Sequence, residues 1–340
     1  MAYTVSKELF LDDFNPIDAV VTWVDGGDPA HRAKMEPFLK SSSIEKHPGT
    51  NPVRFASAGE ITYCILSILR FAPFVRNIFI VTDNQDPKVA DLVARSFPER
   101  VKDLKIVDHR VIFDGYQEYL PTFNSISIET MLWRIPGLSN NYIYFNDDTF
   151  LVRPTSPTDW FVKNRPVLRG NWNLAPFARI ALDNLRRYFV LNLVGKPGYG
   201  PRHSFQVTQW LSAKMAGFKV RYFLAGHTPH PMQKQVLRRF FTDNPGFLKK
   251  NVSCRFREYS LFNLAALVNH LEINEGNSNF GKTDVAYLQP RKRGTNYIAQ
   301  KMRFFAKHNN IKFLCVQEID ACSENTRREI FEWLHQIIIG

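Results

Sequence analysis

Apolar and polar positions fall into alternating blocks over the first 150 residues, as strands separated by helices would. Residues 17–24 (IDAVVTWV) are β-branched and apolar and predict a first strand. It stops at Asp25-Gly26-Gly27-Asp28-Pro29, where the glycines allow a tight turn, Asp28 can cap a helix and Pro29 suits its first position. Ser57-Ala58-Gly59-Glu60 fits a capping box, and Ile61, Cys64, Ile65, Ile68 and Leu69 follow at the spacing of one apolar helical face. Further strands are expected at 77–82, 104–107 and 142–145, with helices at 87–97 and 127–134 between them. The run Tyr142-Ile143-Tyr144-Phe145 is apolar on both faces, which marks a buried strand of a parallel sheet. The expected fold class is α/β: a Rossmann-like, mostly parallel sheet with helices on both faces.

Each of these strands runs into acidic residues: Asp25, Asp83, Asp108 with His109, then Asp147 with Asp148. Right-handed crossovers place these ends along one edge, where α/β sheets bind ligands. Adjacent carboxylates at the end of a buried strand are costly unless they meet a cation or hydrogen-bond donors. Asp147 and Asp148 are therefore the candidate metal ligands, for Mg²⁺ or Mn²⁺, since such ions bridge carboxylates to substrate phosphates. The turn Asp25–Gly26–Gly27–Asp28, leading into a helix N-terminus, offers backbone N–H groups to phosphate. Taken singly, each of these features also fits an ordinary solvated turn.

Beyond residue 153 the pattern weakens. Pro154, Pro157, Pro166 and Pro176, with Trp160, Trp172 and Arg186-Arg187, suggest a helical insertion or lid over 154–220. A helix is expected at 205–218 and a strand at 219–224, which would carry His227 to the same sheet edge. Residues 259–271 read as a core helix, 287–290 as a short strand and 326–339 as an amphipathic helix that packs onto the domain. No clean linker divides the chain, so 1–340 is expected to be one catalytic domain. Its α/β half is 15–153, and 221–340 completes it around a helical C-terminus.

With 28 Phe the chain has ample core, and its net charge of +12 suits polyanionic partners: nucleotides, phosphorylated glycans, nucleic acid or an anionic membrane. A nucleic-acid module would interleave Lys and Arg with aromatics. Arg255-Phe256-Arg257 and Arg291-Lys292-Arg293 offer only fragments of that, so no nucleic-acid partner is expected. Cys64, Cys254, Cys315 and Cys322 show no CxxC spacing, which argues against a disulfide framework or zinc site and for a reducing compartment. The first 14 residues carry acids where a signal peptide needs an apolar stretch, and no run approaches the ~20 apolar residues of a spanning helix. A cytoplasmic protein is expected, with peripheral association at the inner membrane face left open.

The stretches IDAVVTWVDGGDP, ITYCILSILRFAPFVRNIFIVTDNQ, PTFNSISIE and IPGLSNNYIYFNDDTF resemble the first two signature regions of the Stealth family. That family includes bacterial capsule polymerases and the animal enzyme that adds GlcNAc-1-phosphate to lysosomal glycoproteins. Gly226-His227-Thr228-Pro229-His230 and Arg255-Phe256-Arg257-Glu258 resemble its third and fourth regions. The resemblance implies transfer of hexose-1-phosphate from a UDP-sugar donor to a glycan acceptor. A phosphodiester would form and UMP would leave, in capsule or cell-surface polysaccharide synthesis. It implies His227, Arg257, Asp148 and Asp18 as catalytic residues, and Asn124, Ser125 and Glu129 beside the Asp25–Asp28 turn as nucleotide-sugar contacts. Three points stay open. Arg255 competes with Arg257, His227 can be base or phosphate ligand, and Asp18 falls at the strand end away from the ligand edge, where a structural carboxylate is equally expected. The competing functions are a metal-dependent glycosyltransferase releasing UDP and a basic nucleic-acid-binding module.

Overall fold

The computed structural model describes residues 15–39, 57–193, 205–258, 260–292 and 295–340. The acid-bearing segment 1–14 lies outside that set. The first half runs β1 (Ile17–Thr22), α1 (Pro29–Leu39), α2 (Glu60–Phe71), β2 (Ile78–Thr82), α3 (Ala90–Ser96), β3 (Leu104–Asp108), α4 (His109–Ile112), α5 (Ser125–Met131) and β4 (Asn141–Asn146). Strands pair in parallel in the order β3-β2-β1-β4, with Ala19 opposite both Ile78 and Ile143.

Alternation decides the layers. Ala19, Val21, Ile78, Ile80, Ile143 and Phe145 face one core with α2, while Val20, Phe79, Val81, Tyr142 and Tyr144 face a second. Both faces are covered, which is why the centres of β1 (Ala19–Val21) and β4 (Tyr142–Phe145) are continuous apolar runs. After β3 the chain returns across β1 to lay β4 on its other side, so the order reverses between β1 and β4. A crevice opens there at the carboxyl ends of the strands.

The chain continues through β5 (Thr149–Leu151), β6 (Phe161–Val162), β7 (Arg165–Leu174), α6 (Phe177–Leu193), α7 (Phe205–Met215), β8 (Arg221–Ala225) and β9 (His230–Gln233). Then come α8 (Lys234–Asp243), α9 (Pro245–Val252), α10 (Leu264–Asn274), β10 (Asn279–Gly281), β11 (Val285–Leu288), α11 (Thr295–Lys307), β12 (Phe313–Val316) and α12 (Glu324–Ile338). β9 closes the main sheet antiparallel to β4, placing His230 opposite Tyr144. β12 pairs with β11 and, antiparallel, with β5, directly after the Asp147-Asp148 turn.

Three local expectations change. Residues 154–220 are not uniformly helical, because 165–174 form a ten-residue strand. The strand expected at 219–224 pairs with β7 rather than with the parallel sheet. Gly170 permits this approach, since a Cβ there would lie 2.3 Å from the Leu224 carbonyl oxygen. The capping box does not close either: Gly59 caps α2 with φ 97°, and the Glu60 carboxylate accepts from Ala58 N at 2.6 Å. Among the described residues, no helix is long and apolar enough to cross a membrane.

Asp18 is fully buried at the amino end of β1. It accepts from Arg76 Nε (2.9 Å) and Nη2 (2.7 Å), Asn77 N (3.1 Å) and Ser139 N (2.7 Å). The carboxylate thereby ties β1 to the segments entering β2 and β4. Arg76→Ala would strand a buried charge, and a loss of about 2–3 kcal/mol in urea unfolding is expected, Arg76 being half open to solvent.

Candidate active site

A cavity of about 330 Å³ occupies the crevice between the ends of β1 and β4. Asp147, Asp148, His227, Arg257 and Ser125 all line it. Four chain segments thus meet there: the β4–β5 turn, the β8–β9 turn, the first turn of α5, and the stretch between α9 and α10.

His227 Nε2 lies 3.3 Å from Asp148 Oδ1. The backbone N of His227 donates to the Tyr287 hydroxyl at 3.0 Å, a contact that Gly226 permits because a Cβ there would meet that hydroxyl at 2.8 Å. Burial works to lower the His227 pKa, but the nearby carboxylates of Asp148 and Glu129 outweigh this and raise it above the usual 6.5. Asp147 is driven well above the ordinary carboxylate range, by burial first, then by Asp148 and Glu60. Glu60 is itself raised by burial.

Arg257 Nη2 donates to Ser125 Oγ. Buried Glu129 sits close to both. Burial raises its pKa, and the charges of Arg257 and His227 oppose that rise. Asn124 is fully buried and does not line the cavity. Its Oδ1 caps α5 through Ile126 N (3.2 Å), and its Nδ2 donates to the Cys254 carbonyl (3.0 Å), so it fixes the turn that presents Arg257. Arg255 points elsewhere. It donates to the carbonyls of Tyr119 (3.0 Å), Pro121 (2.8 Å) and Glu118 (3.2 Å) and lies 4.6 Å over the Phe38 ring.

Besides Asn124 and Glu129, the structure leaves two groups of expected site residues off the cavity wall. Asp18 is one, held at the opposite end of β1 by Arg76. The other is Asp25–Gly26–Gly27–Asp28, whose polar groups are used internally. Gln85 accepts from Asp25 N and donates to Asp25 O and Asp28 Oδ2, each at 2.9 Å, while Gly27 N donates to Asp25 Oδ1 (2.7 Å) and Arg32 Nε to Gly26 O (2.8 Å). Thr22, Trp23 and Val24 form the wall there instead.

His31 and Glu60, which the sequence did not mark as site residues, also line the cavity. His31 Nδ1 is 3.2 Å from Asp83 Oδ2, and Lys34 Nζ is 3.0 Å from Oδ1. Burial works to raise Asp83, yet the hydrogen bonds from His31 and Lys34 prevail and hold its carboxyl at about 2. A carboxylate with a depressed folded-state pKa stabilises above its unfolded value of 3.8 and loses that contribution as pH falls towards 2. Acid unfolding followed by circular dichroism should therefore be shallower between pH 3.8 and about 2 in Asp83→Asn than in the parent. Neighbouring His109 is lowered to about 4 by burial and is neutral at physiological pH.

The residues fit a divalent cation. Asp148 Oδ1 is buried without an aligned hydrogen bond, its contact with His227 being an ion-pair distance only. Beside it Asp147 is penalised as an anion, and a cation would relieve both. Cys315 Sγ completes a three-donor set in which the ligand atoms of Asp148, His227 and Cys315 lie within 4.8 Å of one another. Burial first, and then Asp148, keep that thiol protonated.

Residues 15–43 match conserved region 1 of the Stealth proteins, and residues 54–168 match conserved region 2. In these two regions the chain is similar to the Stealth proteins. The matched regions contain Asp147, Asp148, Ser125 and Glu129, whereas His227 and Arg257 lie beyond them. Among relatives of this chain, the receptor polysaccharide phosphotransferase WefC of Streptococcus oralis is 29% identical over 258 residues, covering 72% of this chain and 75% of that one. The capsular polysaccharide phosphotransferase cps1A of Actinobacillus pleuropneumoniae is 42% identical over 149 residues, 44% of this chain but 39% of that one. The chain therefore spans three quarters of the first relative and well under half of the second. The solved galactosyltransferase LgtC superposes with a TM-score of 0.45 at 10% identity, covering 94% of this chain and 95% of that one, too distant to transfer a site.

Proposed function

We propose that this chain is a Stealth-type sugar-phosphate transferase of capsule or cell-surface polysaccharide synthesis. It moves hexose-1-phosphate from a UDP-sugar to a hydroxyl of a glycan acceptor. The observation that carries this reading is the convergence of paired carboxylates, an imidazole and a guanidinium on one cavity at the sheet's switch point. Relatives named as polysaccharide phosphotransferases support it.

Phosphoryl transfer asks for positioning and charge neutralisation more than for covalent chemistry. Asp147 and Asp148 are the residues that would hold Mg²⁺ or Mn²⁺, which when bound neutralises the diphosphate and stabilises the leaving UMP. Arg257, steadied by Ser125, presents a planar fork matched to phosphate oxygens. His227 takes the acceptor hydroxyl proton as the sugar oxygen bonds to the β-phosphorus and the bond from that phosphorus to the bridging oxygen breaks. Asp148, 3.3 Å from Nε2, stabilises the imidazolium that results. Glu129, Asn124 and Ser125, expected as nucleotide-sugar contacts, position Arg257 in this reading.

The test is incubation with a panel of UDP-sugars, a glycan acceptor and Mg²⁺. Release of UMP with at least one donor is expected. Release of UDP in its place would mean glycosyl transfer and would overturn the reading.

A further inference from the structure

Asp148, His227 and Cys315 come from three different segments, and each is held by its own scaffold. The Asp148 carbonyl accepts from Val316 N at 3.0 Å. His227 is pinned through its backbone by Tyr287. Cys315 is fixed opposite Thr149 in the β12–β5 ladder, with Sγ 3.7 Å from Asp148 Oδ2. A sulfur, an imidazole nitrogen and a carboxylate oxygen form a donor set of a different kind from the paired oxygens of Asp147 and Asp148. Mg²⁺ does not take sulfur, whereas Zn²⁺ binds all three donor types in four-coordinate geometry with water in the remaining position. Bond lengths of roughly 2.0–2.3 Å to zinc place its ligands ~3–4 Å apart, within side-chain adjustment of the spacing seen here.

We infer that the cavity contains a second cation site, in which Asp148, His227 and Cys315 bind a borderline-soft ion such as Zn²⁺ and thereby inhibit the enzyme. The two sites share Asp148, so an ion in the second competes with the activating ion for that carboxylate. Filling the second transfers the Cys315 thiol proton to solvent and engages His227 as neutral imidazole, which removes it as a base. Zn²⁺ outranks harder ions at such donors, so inhibition sets in at concentrations far below those of the activating ion. The inhibitory consequence rests on the transferase reading, but the site itself does not.

The experiment uses the metal-free full chain and Co²⁺ alone as spectroscopic probe. A thiolate-to-cobalt charge-transfer band is expected, discharged on adding Zn²⁺ and absent in both Cys315→Ser and Cys315→Ala. Zn²⁺ affinity from that displacement should be at least about tenfold weaker in both variants, their folding being checked by circular dichroism. In the transferase assay, the Zn²⁺ concentration that halves activity should rise by a similar factor in Cys315→Ser. Absence of the band in the parent protein, or its survival in both variants, would overturn the site. The band in a protein that releases no UMP would support the site and count against the transferase reading alone.

Discussion

His227→Ala should lower kcat by about 10²- to 10⁴-fold, the range in which a positioned general base contributes. Its pH dependence is the sharper readout. Burial depresses the imidazole pKa, yet Asp148 and Glu129 raise it above 6.5. A base must be neutral to work, so activity should fall as pH drops through that raised value. In Asp148→Asn the principal upward influence is gone while burial remains, so the acid limb of whatever activity survives should move to lower pH. In His227→Ala the limb should vanish. Profiles of kcat from about pH 5 to about pH 9 decide this, because imidazole titrates within that span. An unmoved limb in both variants would mean that another group carries the proton.

Arg257→Ala should cost about 10²- to 10³-fold in kcat, as expected for removing one preorganised group from a developing phosphoryl charge. Arg257→Lys should recover little of it, since an ammonium keeps the charge but loses the planar fork. The neighbour two positions earlier supplies the contrast. Arg255 spends its donors on three backbone carbonyls and its face on Phe38, so Arg255→Ala should lower the urea midpoint and leave most of the turnover per folded molecule. Steady-state kinetics alongside urea unfolding for the three variants separates chemistry from scaffold. Equal kinetic losses at 255 and 257 would remove the distinction.

The parallel sheet was readable because β1, β2 and β4 are buried on both faces and each is built on a continuous apolar run. Asp147 and Asp148 were readable because two carboxylates follow directly on one of those buried runs. His227 arrives where it was expected, but by another route. Its preceding strand joins β7 through the close approach at Gly170, and β9, which enters the main sheet after it, is His-Pro-Met-Gln, too polar and proline-bearing to read as a strand. The Asp25–Asp28 turn shows the limit of local reading. Its glycines and acids look like a phosphate cradle, yet Gln85, 60 positions away from Asp25, takes up its hydrogen bonds. Glu60 and His31 were hidden for a related reason. Each sits in the first turns of a helix, where capping explains polar residues, and only packing turns them towards the cavity. Asp18 carries the sharpest contrast between resemblance and geometry, for its carboxylate is enclosed by Arg76, Asn77 and Ser139 far down the strand from Asp148.

The central claim is that the cavity acts on the β-phosphorus and not on the anomeric carbon. A UDP-sugar labelled at the β-phosphate reports this directly. Transfer of the label into the glycan product, in a diester resistant to phosphomonoesterase, with unlabelled UMP released, is the result predicted. Label retained in UDP, with an unlabelled glycan product, would contradict it.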